Sequence, residues 1–307
     1  MTNQSNSKAY IAAFTQSITV GFSFLATKIA LKNAQTLDLL AHRFFIAAIA
    51  VLVVSILGYG GRRLSFKDFI KIAPYGLVYP IAMFFFQTIG VSYVSTSESG
   101  IINALAPIIT FIIAGIILHE HITIKQALFM ILSVCGVIFI NYMNGVNTNN
   151  YNIFGISMII ISVISLSLYS VLIKRLSSKY SAFNIATVLN FVGFIFFNGL
   201  SLAKHANTGT ISSFFMPFTN LNYLVAVLFL GTCSSLMTSM LNAYALKRLP
   251  AVNIGLLGNL STIVSILAGV LILNEAFYWY HAIGMAIVLI GTIGFNFSKN
   301  IKKQPYF

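Results

Sequence analysis

The sequence has little charge and very few acids. Only 7% of its 307 residues are charged, and five of them are Asp or Glu. A soluble domain carries about 25% charged residues, so the composition excludes that class of protein. With 58% hydrophobic residues and a mean hydropathy of +0.90, nearly the whole chain is expected to lie in lipid. The apolar runs are long and unalternating, which excludes a β-barrel and predicts membrane-spanning helices.

Cysteines and catalytic motifs are also scarce. Cys135 and Cys233 lie inside apolar runs, far from any CxxC spacing, so neither a disulfide nor a metal site is indicated. The sequence contains no HExxH, GxSxG or phosphate-binding loop, and no span contains paired carboxylates. The nearest approach to a metal site is His119-Glu120-His121, but residues two apart on a helix point to different faces. We therefore expect no catalytic residue, no metal and no cofactor.

The apolar runs divide into ten segments, each long enough to cross a membrane. They are residues 9–31, 37–59, 69–94, 98–118, 124–143, 153–173, 182–203, 221–246, 251–274 and 277–298, called spans 1 to 10 below. Because ten is an even number, both termini are expected on the same side of the membrane.

The cations indicate which side that is. With a cytoplasmic amino terminus, fourteen of the eighteen Lys and Arg residues fall in inner loops and tails. Only Lys32 and Lys204 fall outside. This bias predicts that both termini are cytoplasmic. Because the cations sit in short clusters between apolar runs, the net charge of +13 does not indicate a nucleic-acid partner.

The sequence contains an internal repeat. Residues 93–141 and 244–296 each contain an apolar segment that closes on an acid, Glu120 or Glu275, and then a second apolar segment. Each unit holds five spans, an odd number, so the second unit enters from the opposite side and Glu275 is expected to face the exterior. The predicted fold is an all-α integral membrane protein with ten transmembrane helices as two inverted five-helix repeats. The repeats are residues 1–144 and 153–307, and the linker is 145–152.

Polar side chains recur inside the spans, where lipid offers them no partner. In span 8 they form a stripe at helical spacing: Ser235, Thr238, Ser239 and Asn242. The candidate substrate-binding residues are Thr19, Ser23, Tyr79, Gln87, Asn103, Pro107, Tyr169, Thr238, Asn242 and Asn259. They come from spans 1, 3, 4, 6, 8 and 9, and predict one central, largely uncharged chamber near the midplane. Alternatively, the small hydroxyl residues only let helices approach closely and bond across the contact.

Three charged residues near the predicted outer end are further candidates: Lys28, Arg43 and Glu98. Snorkelling outward is the simpler explanation for Lys28. For Arg43, an ion pair with Asp38 or Glu98 is slightly favoured over contact with substrate. Only Glu98 and His42 are placed for proton coupling, so the sequence favours facilitated or weakly coupled transport.

Helix breaks are predicted at matched positions in the two halves. Pro107 predicts a kink or break in span 4 near the midplane. In span 9 its place is taken by about Ser261, with Gly255 and Gly258 nearby. Matched discontinuities of this kind indicate a transporter site.

Taken together, these features resemble the drug/metabolite transporter superfamily, specifically its EamA-type ten-helix exporters. The resemblance depends on Gly21-Phe-Ser-Phe-Leu-Ala-Thr-Lys28, Arg43-Phe-Phe, the stretch from Gly90 to Ser97 before Ala106-Pro107, and the closing acids Glu120 and Glu275. It implies a carrier of the bacterial plasma membrane, monomeric or homodimeric, that moves small metabolites, amino acids or drugs by alternating access. Lys28 and Arg43 fall where this superfamily often keeps these residue types. Two features depart from the pattern: no proline stands near Ser261, and Asn190 replaces a counterpart of Arg43.

Two other functions stay open. A membrane-embedded enzyme requires acids or histidines clustered at one membrane face, and here they are scattered. A structural or assembly partner would pack its polar stripes against another membrane protein instead of enclosing water. For a transporter, the charge-poor chamber with nearby aromatics such as Phe84 and Tyr169 favours amphipathic, zwitterionic or cationic solutes over sugar phosphates. Export is the favoured direction, although the sequence identifies neither substrate nor direction.

Overall fold

The computed structural model describes residues 3–58, 64–103, 105–119, 123–148 and 152–298, and all regular structure within these ranges is helical. Seven helical stretches there are long and apolar enough to cross a membrane, and three shorter apolar helices accompany them. These stretches correspond to the ten predicted spans. Their helices are α1 Asn3–Ala30, α2 Thr36–Ile56, α3 Phe66–Ile72, α4 Met83–Tyr93, α5 Thr96–Asn103, α6 Ala106–Leu118, α7 Ile124–Thr148, α8 Ile153–Ser177, α9 Ala182–Thr208, α10 Ile211–Phe214, α11 Leu221–Phe229, α12 Thr238–Leu246, α13 Ala251–Gly258, α14 Leu260–Leu273 and α15 Trp279–Phe297.

Spans 3, 4, 8 and 9 each contain two of these helices, and α10 belongs to the loop before span 8. Helix α7 continues to Thr148, so the predicted linker at 145–152 begins inside a helix. Some predicted features lie outside the described residues: Glu120 and His121, linker residues 149–151, and the cations Arg62, Arg63, Lys299, Lys302 and Lys303.

The helices pack in a two-fold pattern. Spans 2 and 7, 4 and 9, and 5 and 10 each pack against their own counterpart. Span 3 packs on span 6 as span 8 packs on span 1, and span 4 packs on span 6 as span 9 packs on span 1. Each of these contacts has an equivalent when the halves are exchanged. Since each half has an odd number of spans, the two halves are inverted relative to each other.

The predicted breaks occur in both span 4 and span 9. Span 4 is divided between Asn103 and Ala106, and span 9 is divided at Asn259. Both spans also end alike, in left-handed residues at His119 (φ 54°) and Asn274 (φ 55°). The two breaks divide these spans at corresponding places even though only span 4 has a proline there.

Spans 3 and 8 contain a second matched irregularity that the sequence did not predict. Each has a π-helical segment, Val78–Ala82 in span 3 and Leu230–Met237 in span 8. Tyr79 in the first segment has extended backbone angles, φ −143° and ψ 118°. Such wide turns change which side chains face inward, and they are frequent at functional sites.

Spans 5 and 10 meet backbone to backbone. A Cβ added at Gly136 would lie 2.9 Å from the carbonyl oxygen of Gly284, and one at Gly284 would lie 3.1 Å from that of Gly136. A Cβ at Gly291 would lie 2.6 Å from the backbone nitrogen of Ser133. Glycines at these positions permit the close approach, as small residues do in membrane bundles.

The outer surface of the bundle is apolar, as contact with lipid requires. Ile116 in span 4 is 72% exposed and Leu271 in span 9 is 76% exposed. The largest buried cluster lies inside the bundle, where Phe44 of span 2 stacks on Phe197 of span 7 with ring centroids 5.3 Å apart. Polar side chains are therefore found mainly between helices.

Candidate functional site

A narrow cavity lies between spans 1, 3, 6 and 8. Its volume is about 30 Å³, enough for a water molecule and too small for a metabolite. Five of the predicted substrate-binding residues line it: Ser23, Tyr79, Gln87, Thr238 and Asn242. The other lining residues are Gln16, Val20, Met83, Phe84, Leu166 and Ser234. Spans 1 and 6 are counterparts, as are spans 3 and 8, so the cavity lies between the two halves.

Some polar groups of the cavity wall lack partners. Gln16 Oε1 and Asn242 Oδ1 are buried without a hydrogen-bond partner in the described part of the chain. An unsatisfied buried acceptor costs about 1–3 kcal/mol, and such atoms usually bind water or a ligand. The wall therefore offers acceptors for a guest molecule. Beside it, the Tyr79 ring stacks on Tyr169, with centroids 4.3 Å apart and planes at 18°.

Asn103 and Pro107 lie instead at the crossing of spans 4 and 9. Asn103 Nδ2 donates to Ser261 Oγ at 3.2 Å. Pro107 faces Gly255, where an added Cβ would lie 3.4 Å from the proline Cα. The structure thus places the two residues in a helix contact at the paired breaks, apart from the residues that line the cavity.

Asn259 and Thr19 are also used in helix contacts. The Asn259 amide nitrogen donates to Ser133 Oγ at 2.7 Å and Thr292 Oγ1 at 3.4 Å, which joins span 9 to spans 5 and 10. Thr19 donates to the carbonyl of Thr15, one turn earlier, at 2.9 Å. For these residues, the alternative of bonding within the bundle describes the geometry better than a shared chamber.

Arg43 is fully buried immediately behind the cavity wall, with 1% of its surface exposed. Its Nε donates to Ser235 Oγ at 2.8 Å and its Nη2 to Ser234 Oγ at 2.7 Å. The guanidinium carbon lies 3.8 Å from the ring centroid of Phe84. The π-helical segment of span 8 presents both serines to one guanidinium, although they are adjacent in sequence.

The predicted ion pair of Arg43 is wrong, because both proposed partners are engaged elsewhere. Asp38 accepts from Ser201 Oγ at 2.6 Å and pairs with His205 Nε2 at 3.0 Å. Glu98 accepts from the backbone nitrogen of Ser95 at 2.8 Å, within its own helix turn. No acid within the described ranges lies at ion-pair distance from the guanidinium.

The sequence suggested that Lys28 snorkels outward, but its ammonium group binds a neighbouring helix end instead. Its Nζ donates to the carbonyl oxygens of Val91 at 3.0 Å and Val94 at 2.7 Å, at the carboxyl end of α4. These carbonyls lack partners within the helix, and a cation at a helix carboxyl end is favourable. The carbonyl groups at the end of α4 thus hold the ammonium group at this turn.

Glu275 binds the other side of the same turn. Its carboxylate accepts from the backbone nitrogens of Thr96 at 3.0 Å and Ser97 at 3.2 Å, and from Ser97 Oγ at 2.5 Å. An acid that directly follows span 9 therefore caps the amino end of α5 in span 4. With Lys28 on α4, it holds the turn between spans 3 and 4 from two sides.

The two groups considered for proton coupling lie away from the cavity. Glu98 caps α5 as described, and neither it nor His42 is among the lining residues. His42 Nδ1 lies 2.6 Å from the Tyr223 hydroxyl, and the ring packs against Phe214 and Phe218 of the loop before span 8.

Comparison with known proteins identifies the family of this chain. The sequence model of the EamA-like transporter family matches twice, at residues 7–142 and 153–297. The chain belongs to the EamA-like transporter family. This EamA-like transporter is 38% identical over 306 residues to the uncharacterized transporter YcxC of Bacillus subtilis, covering 99% of the chain and 98% of the relative. It is 27% identical over 300 residues to the uncharacterized transporter YetK of the same organism, covering 97% and 88%.

The fold is also found in a solved structure. A crystal structure superposes on the EamA-like transporter with a TM-score of 0.69 and 17% identity, covering 94% of this chain and 96% of the other. At that identity the likeness shows the fold alone. The family match and the transporter-named relatives confirm the resemblance seen in the sequence. The chain is a multi-pass membrane transporter and not an enzyme.

Proposed function

We propose that this EamA-like transporter is a secondary transporter that moves a small metabolite, amino acid or drug-like solute across the plasma membrane by alternating access. Export is the proposed direction, and both termini are proposed to face the cytoplasm. The observation that carries the proposal is the central cavity, where counterpart spans of the two halves meet around acceptors without partners.

The size of the cavity supports a mechanism in which the helices around it move. A volume of about 30 Å³ cannot hold an amino acid, so transport through this site requires it to widen when substrate binds. Spans 3 and 8 both contain π-helical segments beside the cavity, and irregular turns of this kind absorb backbone changes more easily than regular helix.

The contacts of Lys28 and Glu275 support a gate at the predicted outer end. They tie the turn between spans 3 and 4 to span 1 and to the end of span 9. All four spans belong to the proposed moving parts. Breaking these contacts of Lys28 and Glu275 would let the halves separate at one end while the other end stays packed.

The two-unit organisation is proposed with residues 1–144 and 153–307 as the repeats. The double family match and the two-fold packing of the spans support it. The cytoplasmic placement of both termini is supported by the distribution of cations, fourteen of eighteen on one side.

Cysteine accessibility tests the proposal. In a background with Cys135 and Cys233 changed to Ser, single cysteines at Ser23, Thr238 and Asn242 should react with membrane-impermeant thiol reagents. Their labelling should change when substrate is added. The lipid-facing position Ile195, 62% exposed, is the negative control, and the exposed residue Asn207 in the last turn of α9 is the positive control.

The outcome separates transport from the assembly role. If the three cavity positions stay unlabelled from both sides while the Asn207 position reacts, the polar groups are packing contacts and the transport proposal fails. Export is tested separately, because it predicts that solute accumulates in inside-out vesicles and not in right-side-out vesicles.

A further inference from the structure

Arg43 is a buried charge with neutral partners. Its guanidinium contacts two serine hydroxyls and an aromatic face, none of which carries a negative charge. Removing a cation from water costs several kcal/mol unless an anion compensates it. The hydroxyls and the ring lower that cost and leave the net charge in place.

The acids of the described chain do not supply the missing anion. Asp38 is bound to span 7, and Glu98 and Glu275 cap α5. Asp68 lies at the start of α3, where it accepts from the backbone of Ser65 at 3.3 Å. Glu120 lies outside the described residues.

The guanidinium is separated from the cavity by a single layer of side chains. Ser234 and Phe84 both contact Arg43 and both line the cavity. The hydrogen bonds to Ser235 and Ser234 use Nε and Nη2 of the guanidinium. A small movement of Ser234 or Phe84 would therefore bring the guanidinium into contact with a guest.

We infer that the substrate is an organic monoanion, a carboxylate on a small and largely apolar body, and that Arg43 binds its carboxylate. The inference rests on the proposed function and names its substrate class. Arg suits a carboxylate because its planar fork donates two parallel hydrogen bonds. One guanidinium balances one negative charge, so a dianionic phosphate would be left undercompensated.

The other residues that line the cavity indicate which groups the substrate carries besides its carboxylate. Val20, Met83, Phe84 and Leu166 offer apolar contact, and the unpartnered oxygens of Gln16 and Asn242 would accept from a neutral donor on the substrate body, such as a hydroxyl. No acid is among the lining residues, so an ammonium group would have no counter-ion. The sequence favoured amphipathic, zwitterionic or cationic solutes; this inference keeps an amphipathic solute and makes it anionic.

Thermal unfolding of the purified full-length protein in detergent tests the inference. The probes are two matched series that differ only in the charged group: 3-phenylpropionate, phenylalanine, phenethylamine and phenethyl phosphate, and hexanoate, norleucine, pentylamine and pentyl phosphate. A ligand that binds the folded state raises the melting temperature. We expect the carboxylate of at least one series to do so at lower concentration than its three analogues.

Three variants connect the effect to the guanidinium. Arg43→Gln should weaken carboxylate binding by about tenfold or more, the loss expected for a charged hydrogen-bonding partner. Arg43→Lys keeps the charge without the fork and should bind more weakly while still preferring the carboxylate. Lys32→Gln removes an exposed cation of the loop after span 1 and should bind like the wild type.

Several results overturn the inference: no carboxylate stabilises the wild type, an amine, amino acid or phosphate does so equally well, or carboxylate binding survives Arg43→Gln unchanged. If Arg43→Gln does not fold, the selectivity of the wild type and of Arg43→Lys decides. Cysteine labelling keeps the two proposals apart. A labelled cavity without carboxylate preference removes only this inference, whereas an unlabelled cavity removes the proposed function.

Discussion

Replacing Glu275 by Gln should loosen the turn between spans 3 and 4. The carboxylate follows span 9 and accepts three hydrogen bonds from the first turn of α5 in span 4. Glutamine keeps one acceptor oxygen. Its NH2 group only donates hydrogen bonds, so it cannot accept from the backbone N–H groups. The substitution therefore removes the negative charge from a helix amino end and breaks part of the connection between the halves.

The magnitude follows from these contacts. A hydrogen bond to a charged group contributes about 1.5–3 kcal/mol, and a charge at a helix end contributes about 0.3–1 kcal/mol when exposed. Glu275 is only partly buried and Gln retains one oxygen, so we take a loss of about 2 kcal/mol. That loss changes the ratio of open to closed molecules at this end by about 30-fold.

The assay is the rate at which an impermeant maleimide labels a cysteine at Ser23, added from the outside of intact cells. When opening is rare, the rate follows the open population, so Glu275→Gln should label up to about 30-fold faster. Glu98→Gln is the matched control. Glu98 caps the same helix through the backbone nitrogen of Ser95, and among the described residues it has no hydrogen bond to span 9.

The reasoning is refuted by equal labelling rates in the Glu275→Gln variant and the wild type when both are folded. It is also refuted if Glu98→Gln accelerates labelling as much as Glu275→Gln, since the cause would then be a weaker helix and not a broken connection.

The other predictions concern stability and are read from thermal unfolding in detergent. Gly231→Ala should destabilise by about 1–3 kcal/mol, because its Cβ would lie 2.8 Å from the carbonyl oxygen of Arg43. Gly258→Ala, with no atom within 4 Å of the added Cβ, should be neutral or stabilising by up to about 1 kcal/mol, and equal losses in the two would contradict the packing. Asn259→Ala should cost about 1 kcal/mol through lost bonds to spans 5 and 10, and no loss would show that these bonds contribute nothing. Asp38→Ala should cost about 1–3 kcal/mol, because it leaves a buried serine and histidine without their acceptor; an unchanged melting temperature would argue against it.

The sequence predicted the spans and the breaks because both depend on local composition. Apolar length determines the spans, and Pro107 with the glycines of span 9 marks the breaks. The charged residues were harder to place, since their partners are distant in sequence. Lys28 finds backbone carbonyls 63 and 66 residues away, which no spacing rule within one helix indicates.

The cavity wall was only partly predictable for a different reason. The stripe of span 8 was read with a regular helical period, but a π-helical segment runs through its first part. Ser234 joins Thr238 and Asn242 at the cavity and also binds Arg43, whereas Ser235 binds Arg43 and is not among the lining residues. Gln16 lies seven residues before Ser23, so a helical wheel of span 1 would have found it.

The glycine contacts between spans 5 and 10 have a mechanical consequence. With main chain against main chain at Gly136 and Gly284, turning either helix about its own axis would drive a neighbouring side chain into its partner. Spans 5 and 10 then behave as one rigid pair. Under the proposed alternating access, the eight remaining spans, four from each half, would move relative to this pair.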